Sequence, residues 1–229
     1  MSRNDGRNEA NDEELDRRAE RERLVTRFRD RGRIEHEETA DALRAVPRHE
    51  FVPPAHREAA YADRPLPIGA DQTISAPHMV GWMTDLLAPQ RNDRVLEIGT
   101  GCDYHAAVTA ELAREVRSVE YHESLATEAR ERLAELGYEN VAVRAGDGHK
   151  GLPEFAPYGA AYLTCGADEI PDAVVEQVRP GGRIVAPIGS RSLLGRGGRR
   201  LVRATKRFDG SLDRERHGSV RFVRMRGRS

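Results

Sequence analysis

The sequence predicts an α/β fold in which helices cover both faces of a mostly parallel sheet. Short apolar runs alternate with amphipathic helical segments from residue 94 onward, beginning with RVLEIG (94–99) and a helix from Tyr104. The runs are apolar on both faces, which is typical of parallel strands buried between two layers of helices. This alternation predicts a Rossmann-like, doubly wound sheet.

The remaining elements divide the chain into three parts. Residues 1–12 are predicted to be a disordered acidic N-terminus, residues 13–76 a helical annex with a substrate loop, and residues 77–229 the sheet domain. Within the annex we expect helices at 13–32 and 38–46, then a loop rich in Pro, Ala and Gly. Further strands are expected at 116–121, 140–145, 159–165 and 182–189, helices at 77–88, 123–136 and 171–178, and antiparallel edge strands at 199–210 and 219–227.

Composition indicates one soluble domain. The chain has 229 residues, 33% charged and 38% hydrophobic, with a mean hydropathy of -0.69. It has no apolar run near the roughly 18 residues of a membrane span and no apolar leader, which favours a cytoplasmic protein without a membrane partner. Residues 191–229 carry 13 Arg/Lys against 3 Asp/Glu. Strand-like runs interrupt this basic block, so we expect a solvated sheet edge rather than a nucleic-acid site, and a monomer.

The segment EIGTGCDYH (97–105) has the character of a nucleotide-cofactor loop. Gly99 and Gly101 stand where a strand passes to a helix, which allows the backbone to approach a ligand closely. Tyr104 stands where a dinucleotide fingerprint needs a small residue, which disfavours NAD. We expect Glu97, Gly99, Gly101 and Asp103 to contribute to a cofactor site.

Three later loops end at the same predicted edge of the sheet. Glu120 closes the second strand of the alternation and is placed to accept both hydroxyls of a ribose. Asp147 and Gly148 follow the next strand, where the carboxylate could accept a bond from an adenine amino group. Thr164 and Cys165 would line the floor. These loops suit one adenosine with a short tail, and S-adenosyl-L-methionine is the expected cofactor. The cysteines, Cys102 and Cys165, are expected to be free thiols beside one pocket, with no metal site.

Several segments together resemble protein L-isoaspartate O-methyltransferases. The resemblance extends from ALRAVPRHEFVP to VRFV near the end, and QTISAPHM (72–79) is its most specific part. It implies methyl transfer from S-adenosyl-L-methionine to the free carboxyl of L-isoaspartyl residues in damaged, flexible polypeptides. The open stretch 61–70 would suit such a substrate. The family's active-site serine corresponds to Ser75.

The reaction requires no strong general base, because a carboxylate is already ionised at neutral pH. Catalysis then depends on alignment of nucleophile and methyl group and on removal of water. Thr73 and Ser75 offer hydroxyls and backbone N–H groups that could hold the substrate carboxyl. Alternatively, Ser75 could cap the helix that begins at Pro77. A packed role for His78 is as consistent with the sequence as a catalytic one.

The cofactor loops also depart from the family pattern. Asp103 replaces a glycine, His105 replaces a glutamine, Gly159 replaces an aspartate, and residues 163–166 read LTCG. Asp103 could contact the cationic amino group of the cofactor or could prevent the loop from closing. Two alternatives therefore stand beside the methyltransferase: a catalytically impaired protein-binding module, and a methyltransferase with another substrate, such as RNA.

Overall fold

The computed structural model describes residues 5–189 and 198–227. The strands are β1 (Leu66–Gly69), β2 (Gln72–Ile74), β3 (Arg94–Ile98), β4 (Glu115–Glu120), β5 (Val141–Ala145), β6 (Tyr158–Leu163), β7 (Val178–Ile188), β8 (Arg199–Lys206) and β9 (Leu212–Val220). The helices are α1 (Asp5–Asp30), α2 (Glu37–Ala45), α3 (Pro77–Leu87), α4 (Tyr104–Ala110), α5 (Glu123–Glu135) and α6 (Asp172–Gln177). In the part of the chain described, no helix is long and apolar enough to cross a membrane.

The main sheet has the strand order β5-β4-β3-β6-β7-β8-β9. The first five of these strands are parallel, while β8 and β9 are added antiparallel at one edge. Ile98 at the end of β3 pairs with Val119 of β4 and with Leu163 of β6. This topology confirms the doubly wound fold with antiparallel edge strands, and it brings the predicted cofactor loops to one edge.

Alternation along β3 distributes its side chains between two cores. Val95 packs with Met83 of α3 and Ala106 of α4 on one face. Leu96 packs on the other face, where Val174 of α6 belongs to the same cluster. Successive residues of a strand point to opposite faces, so a run that is apolar throughout needs helices on both sides.

The N-terminal helices form an annex on the α4 side of the sheet domain. Phe28 and Leu43 of the annex share a buried cluster with Tyr104 and Val108. Helix α1 begins at Asp5 rather than near Glu13, so the segment predicted to be disordered is helical from residue 5.

The predicted loop 49–75 contains short helices and strands that its composition did not indicate. Two short 3-10 helices, Arg48–Phe51 and Pro54–Ala59, precede the β1–β2 hairpin. The hairpin turn uses positive φ at Gly69, Ala70 and Asp71. The stretch 61–70 is therefore not an open loop, since Tyr61, Leu66 and Ile68 within it are buried. The elements are too short for either period to be visible in the sequence.

The second C-terminal strand differs most from its prediction at 219–227. The edge strand is Leu212–Val220, and the chain then leaves the sheet. The following segment, 221–227, packs Val223 and Met225 against the cluster that contains Leu96, whereas Phe222 packs against the cluster that contains Val95. The apolar residues of this segment therefore contact both cores, a pattern that periodicity alone does not distinguish from that of a strand.

Lys206 of β8 closes the C-terminal end of α6. Its Nζ donates to the carbonyl oxygens of Val175 at 2.8 Å, Glu176 at 3.2 Å and Val178 at 2.8 Å. The last carbonyl groups of a helix have no partner within the helix, and a cationic donor both satisfies them and favours the helix dipole.

We predict that Lys206→Met lowers the free energy of unfolding by about 1–3 kcal/mol, because helix-end carbonyls lose their donor. Lys150→Met is the matched control, since Lys150 is exposed and its side chain should contribute within about 0.5 kcal/mol. Urea denaturation of both variants provides the measurement. Equal stabilities of the two variants would contradict the capping role.

Candidate active site

A pocket lies at the carboxyl edge of the parallel strands. Its walls come from the loops after β3, β4, β5 and β6, from β2 and the residue after it, and from residues 223–226 of the segment after β9. The pocket thus unites the glycine loop with the predicted substrate segment. The lining residues that carry the argument are Thr73, Ser75, Gly99, Gly101, Glu120 and Thr164.

The glycine loop requires its two glycines for different reasons. Gly99 has φ 96°, and a Cβ on it would lie 2.5 Å from Thr164 Oγ1. Thr164 donates through that hydroxyl to the Gly99 carbonyl. Gly101 has φ 57°, a left-handed conformation that glycine adopts without strain. Thr164 thus braces the loop from the neighbouring strand as well as lining the pocket.

Glu120 is held in a defined orientation at the end of β4. Its Oε2 accepts a bond from the Gly101 N–H at 2.9 Å, and its Oε1 accepts one from the His122 N–H at 2.9 Å. The side chain lines the pocket and is 5% exposed. Each carboxylate oxygen retains acceptor capacity, so this group can receive the hydroxyls of a ribose.

In the GDG loop after β5, Gly148 forms part of the pocket wall and Asp147 lies behind it. Gly148 lines the pocket, and a Cβ there would overlap Ile98, so this wall needs glycine. The Asp147 carboxylate accepts bonds from the His149 backbone at 3.0 Å and its Nδ1 at 2.8 Å, and it packs against Gly227. Asp147 lies behind this wall, and its contact with an adenine stays a prediction.

Glu97 lies behind the cofactor loop instead of in the pocket. Its side chain is fully buried and accepts bonds from Ser118 Oγ at 2.5 Å and from the Tyr162 hydroxyl at 2.8 Å. Ser118 is also 2.6 Å from Thr100 Oγ1 in the glycine loop. Burial raises the pKa of Glu97 to about 8. The geometry supports a role in bracing the loop rather than the direct cofactor contact that the sequence suggested.

Asp103 also points away from the pocket. Its φ is 62°, and its fully buried carboxylate accepts a bond from Arg132 Nη1 of α5 at 2.5 Å. Arg132 further donates to the Cys102 carbonyl at 3.3 Å. The structure therefore supports neither a contact with the cofactor's amino group nor a loop that fails to close. Asp103 joins the cofactor loop to α5.

Another departure from the family pattern has a local explanation. At Gly159, where the family carries an aspartate, the carboxylate of Asp93 occupies the space a Cβ would need. Asp93 accepts bonds from the Gln90 N–H at 2.9 Å and from Arg179 at 3.1 Å. An acidic group is thus present here, supplied by the residue just before β3.

The substrate segment presents two hydroxyls to the pocket. Thr73 lies in β2 and is exposed, and Ser75 follows that strand and is half-buried. The N-cap of α3 is Ala76, so Ser75 does not cap this helix. Its carbonyl accepts a bond from Arg48 Nη2 at 2.8 Å, while its hydroxyl makes no hydrogen bond to any residue the structure describes. The Ser75 hydroxyl is available to a ligand.

His78 and the two cysteines are the remaining candidate residues. His78 Nδ1 lies 2.6 Å from Asp63 outside the pocket, which supports the packed role. Cys102 and Cys165 are free, buried thiols that line one pocket, as expected, and burial raises the pKa of each to about 12. Across the described ranges 5–189 and 198–227, no cluster of three His, Cys, Asp or Glu side chains could hold a metal ion.

The sequence did not predict the wall of the pocket that the segment after β9 forms. Residues Val223 to Arg226 reach the pocket because the Gly166 N–H donates to the Val223 carbonyl at 2.7 Å and the Met225 N–H donates to the Gly166 carbonyl at 2.9 Å. The glycine of LTCG gives a partial signal for this contact, since a side chain there would overlap Arg199. The pairing itself joins segments distant in the sequence and has no local signature.

We predict that Arg132→Met lowers the free energy of unfolding by about 3 kcal/mol, because it leaves the buried Asp103 carboxylate without its cation. The double variant Arg132→Met/Asp103→Asn should recover most of this loss, since asparagine tolerates positive φ and carries no charge. Denaturant titration of both variants and of Asp103→Asn completes the double-mutant cycle. Strictly additive effects would contradict a direct interaction.

Comparisons with known proteins agree with this geometry. The model of the family "Protein-L-isoaspartate(D-aspartate) O-methyltransferase (PCMT)" matches residues 19–229. A protein-L-isoaspartate O-methyltransferase of Methanopyrus kandleri is 47% identical over 222 residues, which span 95% of this chain and 96% of that protein. Protein-L-isoaspartate O-methyltransferase 2 of Archaeoglobus fulgidus is 46% identical over 93% of this chain and 95% of its own length.

Solved structures show the same fold. A protein-L-isoaspartate O-methyltransferase superposes with a TM-score of 0.80 at 31% identity, covering 90% of this chain and 66% of that one. A putative enzyme of this name from Plasmodium falciparum, in complex with S-adenosyl-L-homocysteine, has a TM-score of 0.77 at 20% identity over 90% of this chain and 98% of its own. Taken with the family match over nearly the whole length, these findings establish that the chain belongs to the protein-L-isoaspartate O-methyltransferase family.

Proposed function

We propose that this chain transfers a methyl group from S-adenosyl-L-methionine to the free carboxyl of L-isoaspartyl residues in damaged proteins. The observation that carries this function is the meeting of two sets of residues in one pocket. Gly99, Gly101 and Glu120 suit an adenosine cofactor, and Thr73 and Ser75 face the same space. Membership of the family supports the choice of substrate.

The pocket fits the proposed cofactor. Glu120 would receive the ribose hydroxyls, Gly148 provides a flat wall without a side chain, and the glycine loop allows backbone groups to approach the tail. Thr164 would line the floor while bracing the loop. When bound, the cofactor supplies an electrophilic methyl group on a cationic sulfonium. Asp147 and Glu97 would act indirectly, by supporting the loops that bear these contacts.

The protein's own part in the reaction is to hold and desolvate the carboxylate. We assign to Ser75, with Thr73, the task of donating hydrogen bonds to it, so that one oxygen lies about 3–3.5 Å from the methyl group. Removing water from both charges increases their attraction. His105 lines the pocket, but burial lowers its pKa to about 3, and its Nε2 contacts Thr84 at 3.1 Å. Its neutral form suits a reaction in which no cationic acid takes part.

The substrate is proposed to be a flexible polypeptide that enters between the hairpin and the C-terminal wall. Three features of the protein belong to the same proposal: a monomer, a cytoplasmic location and no nucleic-acid partner. The arginines of the basic end support the last point, since Arg203 faces Glu215 and Arg207 faces Asp213 on the paired strands β8 and β9. These ion pairs neutralise the two arginines locally.

The departures from the family pattern no longer favour a catalytically impaired protein-binding module. Asp103 lies outside the pocket and pairs with Arg132, and the altered LTCG segment supplies Thr164, which braces the glycine loop. Both departures therefore leave the cofactor pocket intact. The methyltransferase is the function that the geometry supports best.

We predict that the protein binds S-adenosyl-L-homocysteine in calorimetric titration and methylates an L-isoaspartyl peptide. The same peptide with normal aspartate is the control and should accept no methyl group, because its free carboxyl lies one carbon further from the main chain. Incorporation of labelled methyl measures both reactions. Cofactor binding without transfer to the isoaspartyl peptide would contradict the function.

Ser75→Ala is predicted to lower kcat about 10- to 100-fold, which corresponds to one hydrogen bond to a charged group. The affinity for S-adenosyl-L-homocysteine should change less than about threefold, since the hydroxyl is assigned to the substrate. Ser211→Ala is the matched control, because Ser211 lies exposed in the β8–β9 turn. Equal kcat values for the two variants would remove Ser75 from the mechanism.

A further inference from the structure

Arg48 is a guanidinium enclosed in the core between the annex and the cofactor loop. Its side chain is 0% exposed, and no carboxylate lies within ion-pairing distance of it among the residues described. Burial of an unpaired cation opposes folding, because its loss of hydration is not offset by an ion pair. A contribution to stability therefore does not explain why an arginine stands at this position.

The contacts of Arg48 join three segments, two of which line the pocket. Its Nε donates to the Ala60 carbonyl at 2.8 Å, and its Nη2 donates to the Ser75 carbonyl at 2.8 Å. Its guanidinium carbon lies 4.8 Å from the centre of the Tyr104 ring. Tyr104 lines the pocket and begins the helix that follows the glycine loop. One planar group thus connects the substrate segment to the cofactor side of the pocket.

The local sequence explains how Arg48 reaches this position. Arg48 begins the 3-10 helix Arg48–Phe51 directly after Pro47, and Val46 and Phe51 on either side are buried. Phe51 itself packs edge-on against Tyr104, with 5.5 Å between the ring centres. Anchored at both ends, this turn directs the guanidinium inward toward Ser75.

The third nitrogen of the guanidinium, Nη1, differs in its surroundings from Nε and Nη2. Nη1 is buried and has no hydrogen-bond partner among the described residues. Among the described residues Arg48 has no carboxylate within ion-pairing distance, Asp63 acts on it only from further away, and it donates to the carbonyl of the serine that we assign to the substrate carboxylate. A purely structural bridge between two carbonyls would not need this charge.

We propose that Arg48 is a positioning residue for the methyl transfer. Its guanidinium holds the Ser75 carbonyl against Tyr104 and thereby sets the Ser75 hydroxyl relative to the glycine loop, while its positive charge favours an anionic group at Ser75. This role rests on the proposed function, because it acts through the residue assigned to the substrate. Arginine is specific here, since a lysine cannot donate to both carbonyls with the same fork and stack on the ring.

The test uses Arg48→Met, which removes the charge and the donors but preserves much of the volume. We expect kcat for the L-isoaspartyl peptide to fall about 10- to 100-fold, as for a small misplacement of a reacting group. The affinity for S-adenosyl-L-homocysteine should change less than threefold, measured by calorimetry. Amide hydrogen exchange of residues 72–76 should become at least tenfold faster, which reports the loss of positioning without any turnover.

Two further variants complete the experiment. Arg183→Met removes a partly buried arginine that donates to the Ala88 carbonyl at 2.6 Å, away from the pocket, and should leave kcat within twofold. Arg48→Lys keeps the charge but loses the fork, so it should remain impaired in both readouts; it also replaces Arg48→Met if that chain does not fold. Full activity of Arg48→Lys would overturn the proposal.

The outcomes separate this inference from the function on which it rests. If the wild-type protein methylates the peptide and Arg48→Met does so equally well, with unchanged exchange at 72–76, the role of Arg48 is overturned while the function stands. If the wild-type protein transfers no methyl group, the function fails. The exchange measurement then tests the anchoring by itself: faster exchange supports the anchoring of residues 72–76 by Arg48, and unchanged exchange overturns it.

Discussion

The register of the central strand is the constraint on which the whole site depends. Because Ile98 pairs with both Val119 and Leu163, the three strands end at the same level. The next residues along each strand, Gly99, Glu120 and Thr164, consequently meet across the sheet edge. Their hydrogen bonds then close the glycine loop from both sides, through Glu120 to Gly101 and through Thr164 to Gly99. A slip of one residue would turn these side chains to the opposite face.

Those parts of the molecule that follow from periodicity and loop chemistry were predictable from the sequence. The alternation from residue 94 onward predicts the parallel sheet, and polar or glycine residues after each strand predict a cofactor edge. Prediction fails where the orientation of a side chain depends on a partner that is distant in the sequence. Glu97 lies near the end of its strand just before the cofactor loop and Asp103 stands in that loop, yet their carboxylates bond to Tyr162 and Arg132 away from the pocket. Arg48 carries no local sign of burial, because a single arginine after a proline is usually exposed.

The departures from the family pattern turn out to preserve local chemistry by other means. Asp103 occupies a left-handed position that favours glycine, and its bond to Arg132 offsets the strain. Asp93 supplies a carboxylate beside Gly159, where the family has its own aspartate. A position-by-position comparison of side chains therefore overstates how far this loop has diverged. Function at such a site is better judged from where the groups lie than from which residue provides them.

The extended segment after β9 contributes to the site without belonging to the main sheet. Val223 to Arg226 complete one wall of the pocket through backbone bonds to Gly166, and they follow every strand of the sheet in the chain. A chain shortened to end at Val220 would keep every strand of the main sheet and would lose this wall. Truncation at this point therefore separates the residues that build the sheet from those that enclose the ligand.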